Sequence, residues 1–403
     1  MRNRLNWQRL RWIPLAIGSS VLLISWFYLA WNTTVGEAAP SLRFRTKNTI
    51  AGIMQDGTEI FSADALLTGQ YQQWLSRSIG VLSPVFKAAV TWKAQIYYTV
   101  FGVAATSNVV VGEHQQLMER SYLDEYCNRD MATLRTSGEA WAARLRETQD
   151  YVEAHGKVFL YVITPSKVAQ QPEYMPAGIN CPGRNRDPAQ KLAIYGDILA
   201  HHGVRFVDTA SGLADARKEY GIEMFPRGGV HWNALGATLG ALKVIDAINS
   251  RREEPLLGSL SFTWQVSYNP RGADRDLLDI MNLRNPDTHY PVPEVTYSST
   301  PPPGGCQTVT ITEVGGSFLH GLNSVLLKLA CPPTITEWFY WDQRRIHQVG
   351  GRVYEPPIDA EARRRSLVEA DVVLLEENES IAPDSAHATK MMDEVRAQSE
   401  RPH

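Results

Sequence analysis

A doubly wound α/β parallel sheet behind an N-terminal membrane anchor is the fold class that the sequence predicts, and three observations carry that reading. An uncharged run from Trp12 to about Trp31 follows Arg2, Arg4, Arg9 and Arg11. Two stretches, Lys157–Thr164 and Asp371–Glu376, are apolar without alternation, the pattern of strands buried on both faces. Around them, strand patterns and helical patterns take turns along the chain.

The N-terminal run is long enough to span a bilayer and has aromatic residues near both ends. Its arginines belong on the cytoplasmic side. Residues 1–11 then form a cytoplasmic stub, 12–31 a single-pass signal anchor in the inner membrane, and the rest lies in the periplasm. A cleaved leader is the competing reading, with Gly36-Glu37-Ala38-Ala39 as its cleavage region. Residues 32–60 read as a polar linker with a turn at Asp56-Gly57, and 61–403 as the main domain. Its lead-in, 61–105, carries Tyr71, Trp74, Leu75 and Ile79, then Val85, Phe86, Val90, Trp92, Ile96 and Tyr97 at helical spacing. Pro84 divides this run into two helices.

Val109–Gly112 is a short strand, Met131–Ala154 an amphipathic helix, and Lys157–Thr164 a central strand. Residues 188–202 are helical, Val204–Asp208 is a strand, and Ala234–Ser250 is a helix. Residues from about 251 to 303 interrupt the cycle with charges, prolines and short strands. Thr308–Gly315 then runs as a strand into a helical pattern at Leu319, Leu322, Val325, Leu326 and Leu329. Strands at Thr336–Trp341 and Asp371–Glu376 follow, and the tail from Ala382 is at most a terminal helix. In such sheets reactive groups gather at the carboxyl ends of strands. That edge collects Thr164-Pro-Ser166, Asp208, Ser317, Trp341-Asp342 and Glu376-Glu-Asn378.

Composition narrows the classes. The 403 residues suffice for a sizeable core, and a net charge of −3 offers no case for nucleic acid. The four cysteines, Cys127, Cys181, Cys306 and Cys331, form no CxxC and so no structural zinc pattern. Outside the cytoplasm they are free to form disulfides, and proximity in sequence favours Cys127–Cys181 and Cys306–Cys331.

The chemistry centres on Thr308-Val-Thr-Ile-Thr-Glu-Val-Gly-Gly-Ser317-Phe-Leu-His-Gly. A strand that stops at Gly315-Gly316 and restarts as a helix sets the Ser317 hydroxyl at a sharp turn beside a helix N-terminus. Backbone N–H groups there stabilise an oxyanion, and the same layout suits a helix-capping serine. A serine nucleophile needs a base near neutral pH, and imidazole suits that role. Among ten histidines, His231 stands out in Pro226-Arg-Gly-Gly-Val-His231-Trp-Asn-Ala-Leu-Gly236. His320 is one turn past Ser317 and too local to serve. Asp208 and Asp342 are candidates to orient the base.

These stretches resemble the SGNH hydrolase-like sugar O-acetyltransferases of the alginate acetylation group (AlgJ/AlgX-like). The resemblance runs from about Leu67 to Glu379. It takes in Thr68-Gly-Gln-Tyr-Gln-Gln-Trp74, Val110-Val-Gly112, Tyr122–Cys127 and Val162-Ile-Thr-Pro-Ser-Lys167. It continues through the His231 block, Gly316-Ser317-Phe318 and Asp371–Glu376. It implies a circularly permuted, flavodoxin-like SGNH sheet, with the histidine block ahead of the serine block. It also implies Ser317 as acetyl-carrying nucleophile, His231 as base, and an oxyanion hole at the Ser317 N–H with Gly316 or Asn378 beside it. No metal or soluble cofactor is called for. The implied partners are an exopolysaccharide acceptor and a multi-pass membrane acyltransferase that supplies acetyl groups. Two departures stand out: the family's Asp-x-His is here Gly229-Val-His231, and its Gly-Asp-Ser-Phe is Gly315-Gly316-Ser317-Phe318. A backbone carbonyl near Gly229 or a distant acid such as Asp208 would then hold the imidazole. A carbohydrate acetylesterase using the same residues, and a non-catalytic polysaccharide-binding scaffold, are the competing functions.

Overall fold

The computed structural model describes residues 12–39, 41, 50–51, 62–73, 84–348, 350 and 352–400. The chain divides into two compact units, Met1–Ser107 with Leu278–Pro286, and Asn108–Leu277 with Asp287–His403. Arg2, Arg4, Arg9, Arg11, the turn at Asp56-Gly57, and Trp74 to Ile79 lie outside the described residues.

The first unit holds α1 (Ile13–Ala38), α2 (Ala63–Leu67) and α3 (Pro84–Phe101). Within α1, the 20 residues Ile13–Asn32 have a mean hydropathy of 1.8, long and apolar enough to cross a membrane. Leu15, Ile17, Leu23, Ile24, Trp26 and Phe27 all point outward. Three of its hydroxyls are satisfied within the helix: Ser20, Ser25 and Thr34 donate to the carbonyls of Ala16, Val21 and Ala30. A lipid-facing helix needs this, because hydrocarbon offers polar groups no partner.

The second unit is built on a seven-stranded sheet of order β10-β9-β8-β7-β11-β3-β4. Its strands are β3 (Val158–Thr164), β4 (Phe206–Asp208), β7 (Thr310–Gly315), β8 (Thr334–Phe339), β9 (Gln343–Gln348), β10 (Arg352–Tyr354) and β11 (Val372–Asn378). From β8 to β4 every pairing is parallel. The central strands β3 and β11 are buried at every residue, as their unbroken apolar runs predict. Alternate residues serve opposite faces. Leu160, Val162, Leu374, Ile311 and Ile335 face one core, which α9 (Ala234–Asn249) and α11 (Leu319–Leu326) cover. Phe159, Tyr161, Leu375, Val314 and Trp338 face the other, against α5 (Met131–Ala154), α7 (Gln190–His201) and α13 (Ala386–Ser399).

Helices on both faces give the SGNH-like α/β fold, with one correction to an all-parallel sheet. β9 and β10 fold back antiparallel at one edge, so the sheet is mixed. In β9, Gln343-Arg-Arg-Ile-His-Gln348, charged and polar side chains sit one strand in from that edge. Among the described residues, Val109–Val111 (β1) pairs only with Leu117–Glu119 (β2), in a small separate sheet ahead of α4 (Arg120–Asn128). Between α9 and β7 the chain builds a hairpin of two nine-residue strands, β5 (Ser259–Ser267) and β6 (Val292–Thr300). Leu260, Phe262, Trp264, Val295 and Tyr297 share its inward face and pack on the first core. Disulfides join Cys127 to Cys181 and Cys306 to Cys331, as sequence proximity favours.

Candidate active site

Ser317 sits between the end of β7 and the start of α11, partly buried. The turn is pinned from below by Glu376 at the carboxyl end of β11. One carboxylate oxygen accepts the Gly316 N–H at 2.7 Å and the other accepts the Thr164 hydroxyl. Burial pushes the Glu376 carboxyl up, while His387 and these two hydrogen bonds favour its charged form. Beyond the turn, the N–H groups of Leu319, His320 and Gly321 bond back to the carbonyls of Gly316, Ser317 and Phe318. The N–H groups of Ser317 and Phe318 open the helix ahead of those bonds, where an anion is stabilised by unpaired donors.

His231 ends the Pro226–Val230 turn and stands three residues before α9. Asn233 caps that helix, accepting from Leu235 and Gly236 N–H at 3.1 and 3.0 Å, and Trp232 is buried beneath. With a capped helix after it and a buried indole beside it, the imidazole has little freedom. His231 Nε2 lies 2.7 Å from Ser317 Oγ. Its Nδ1 bonds the carboxylate of Asp276, whose other oxygen accepts the Val230 N–H at 2.8 Å. The result is a hydrogen-bonded chain of Asp276, His231 and Ser317, the geometry in which an imidazole takes a serine proton.

Asp276 opens α10 (Asp276–Ile280), inside the segment that separates the hairpin strands. Its approach depends on Gly228 and Gly229. A Cβ on Gly229 would come within 2.1 Å of the Ala273 carbonyl oxygen, and one on Gly228 within 2.3 Å of the Tyr290 hydroxyl. The two glycines let the Arg271–Asp276 stretch lie directly against the histidine turn. Asp274, two residues before, is pushed up to about 6, chiefly by burial and also by the charge of Asp276.

Lys167 holds the histidine turn from the opposite side. Its fully buried ammonium donates to the carbonyls of Pro226 at 2.7 Å and Gly229 at 2.8 Å. Burial brings the Lys167 pKa down to about 7, against the pull of Asp276 and Glu223. Beneath α11, Glu313 on β7 bonds Asn323 at 2.9 Å. Burial, with Glu337 nearby, pushes its carboxyl well up, which favours the neutral form.

Of the residues singled out from sequence, Ser317 and His231 meet and the others do not join them. Asp208 closes its own turn, accepting from Ala210 N–H, Ser211 N–H and the Ser211 hydroxyl. Asp342 pairs with Lys390 at 2.8 Å. The Gly316 N–H is held by Glu376, which removes it as an oxyanion donor. Asn378 is buried and turned away, with its amide on the Pro165 carbonyl at 2.7 Å and its oxygen accepting from Ser380. The acid on the imidazole is Asp276, 45 positions from His231 in sequence. Its only sequence signal is an acid in Arg271-Gly-Ala-Asp-Arg-Asp276 opposite a paired glycine, and this becomes legible only with the fold in hand.

A mixed sheet with helices on both faces, carrying a serine at a strand-to-helix turn, is an SGNH-like α/β arrangement. Residues 122–306 match the family described as SGNH hydrolase-like domain, acetyltransferase AlgX. The match contains His231 and Asp276 and ends short of Ser317. Among solved structures, the O-acetyltransferase domain of Pseudomonas putida AlgJ is similar at 15% identity, over 71% of this chain and 99% of that one, with a TM-score of 0.44. Pseudomonas aeruginosa AlgX is similar at 14% identity over 73% of this chain and 68% of that one, with a TM-score of 0.46. Bacillus cereus PatB1 with a sulfonyl adduct is similar at 10% identity over 69% and 96%, with a TM-score of 0.42. No curated protein matches the chain by sequence.

Proposed function

We propose that the protein is a membrane-anchored, extracytoplasmic O-acetyltransferase that acetylates sugar hydroxyls of an exopolysaccharide through an acetyl-Ser317 intermediate. The observation that carries the reading is the chain from Asp276 through His231 to Ser317, with His231 Nε2 2.7 Å from the hydroxyl. His231 takes the Ser317 proton as Oγ attacks the acetyl carbonyl, and returns it to the departing group of the donor. The oxyanion is received by the Ser317 and Phe318 N–H groups at the start of α11. A sugar hydroxyl then gives its proton to His231 and attacks the acetyl carbon, freeing Ser317. Asp276 holds the imidazole in the tautomer with its proton on Nδ1 and stabilises the imidazolium that forms in each half.

α1 is the anchor in this reading, with residues 1–11 cytoplasmic and the chain beyond it in the periplasm. Two disulfides suit that compartment. Acetyl-CoA is confined to the cytoplasm, so the acetyl group has to cross the membrane by way of a partner, a multi-pass acyltransferase. The acid on His231 favours catalysis over a scaffold role, because a serine base left unoriented loses about four orders of magnitude in rate. The test is made in cells. The acetyl content of the exopolysaccharide is measured with the native protein and with Ser317→Ala at equal abundance. Loss of acetyl groups with Ser317→Ala is expected; unchanged acetylation overturns the proposal.

A further inference from the structure

Beside the nucleophile, the turn between β8 and β9 carries an unusual backbone. Asp342 N–H closes it on the Phe339 carbonyl at 3.1 Å, and both central residues, Tyr340 (φ 48°) and Trp341 (φ 70°), lie in the left-handed region. Turns of this kind favour Asn-Gly, because a bulky side chain at positive φ is strained. Such strain persists where surroundings hold it, and it collects at functional sites. Trp341 is held: it is buried against Trp338, with the Arg363 guanidinium 4.5 Å from its ring centre. Tyr340 is not buried, with 42% of its surface exposed.

The ring of Tyr340 lies over the backbone next to Ser317. Its N–H bonds the Gly315 carbonyl at 2.8 Å, and a Cβ on Gly316 would stand 3.1 Å from its ring and hydroxyl. The absent side chain at position 316 is therefore what lets the ring settle there. Phe339, at 4.4 Å between centres, and the buried His387, at 5.8 Å, steady it. A strained turn thus presents an aromatic face to solvent one residue from the nucleophile.

We propose that Tyr340 is the platform on which a pyranose ring of the acceptor lies while its hydroxyl meets acetyl-Ser317; this rests on the transferase reading above. A sugar ring carries an apolar C–H face and a rim of hydroxyls. A flat, half-exposed ring with a polar tip matches that surface and orders few rotatable bonds on binding.

The test measures binding and transfer with the full-length protein in detergent micelles, using unacetylated gluco-, manno- and mannuronate hexasaccharides. At least one is expected to bind. Tyr340→Asn should weaken that binding by about fivefold to tenfold, the scale of losing one aromatic contact. Its melting temperature should hold or rise, because Asn accepts this backbone. Tyr340→Leu, apolar but not flat, should weaken binding similarly, and Tyr340→Trp should stay within about twofold of native. Transfer from acetyl-Ser317 should show the loss in the acceptor KM. Binding by none of the three sugars, or native affinity in Tyr340→Asn or Tyr340→Leu, overturns the platform. Tyr340-dependent binding without any acetyl-Ser317 upholds the platform and overturns the transferase reading instead.

Discussion

Gly229 and Gly316 are the two residues at which the chain departs from the pattern it resembles, and in the fold each leaves space for another group. The Ala273 carbonyl fills the first and brings Asp276 to His231; the Tyr340 ring fills the second. Gly229→Asp, which restores the acid in sequence, should therefore fail in the molecule. A Cβ 2.1 Å from a backbone oxygen forces the Arg271–Asp276 stretch away, and overpacking of this kind costs about 1–3 kcal/mol. A lower unfolding midpoint in urea and reduced ester turnover are expected; a gain in rate would mean that Asp276 does not serve. Asp276→Asn keeps the shape but loses the charge, and should lower kcat by about four orders of magnitude. Ser317 and His231 were legible because each is marked by its neighbours, a strand-Gly-Gly-Ser-helix run and a glycine turn ahead of a helix. Asp276 was not, because no local period links two residues brought together only by the closing of a hairpin.

At the level of elements, continuous apolar runs made β3 and β11 readable, since a strand covered on both faces has no polar side to show. β9 was not readable: five of its six residues are polar, and it lies one strand in from the sheet edge. Two buried ionisable groups tie elements together and give measurable slopes. Lys167, just past β3, holds the histidine turn by its carbonyls. Lys167→Met leaves them unpaired, at about 1–3 kcal/mol each, and should lower both stability and turnover. The native pKa of about 7 lies below the unfolded value near 10.4, so the unfolded chain binds more protons between the two. This group therefore makes stability rise with pH across that window, a contribution absent in Lys167→Met and visible in urea titrations at about pH 7 and pH 9. Glu313 has the opposite sign. Its raised pKa means that the folded state holds the proton longer, so its stabilisation is present at acid pH and lost as pH rises through the folded value. Glu313→Gln, neutral at every pH and able to keep Asn323, should flatten that decline; an unchanged profile would mean that the carboxyl is ionised in the fold.

For the whole molecule, the sheet carries Ser317 and the Glu376 carboxylate beneath it, and the hairpin segment outside the sheet supplies Asp276. The disulfides brace the connections: Cys127–Cys181 closes a separation of 54 residues and Cys306–Cys331 one of 25. Loops of that length are worth about 3–4 kcal/mol each in the chain-entropy account, so reduction should lower the melting temperature markedly. If melting were indifferent to reductant, the bridges would not brace the fold. The most direct test of the central claim is the mass of the Ser317 peptide after brief exposure of the full-length protein to an activated acetyl ester. One acetyl group on Ser317 is predicted in the native protein, none in Ser317→Ala, and a much slower appearance in Asp276→Asn. Ester turnover with no acetyl on Ser317, or acetylation at the native rate in Asp276→Asn, would contradict the account.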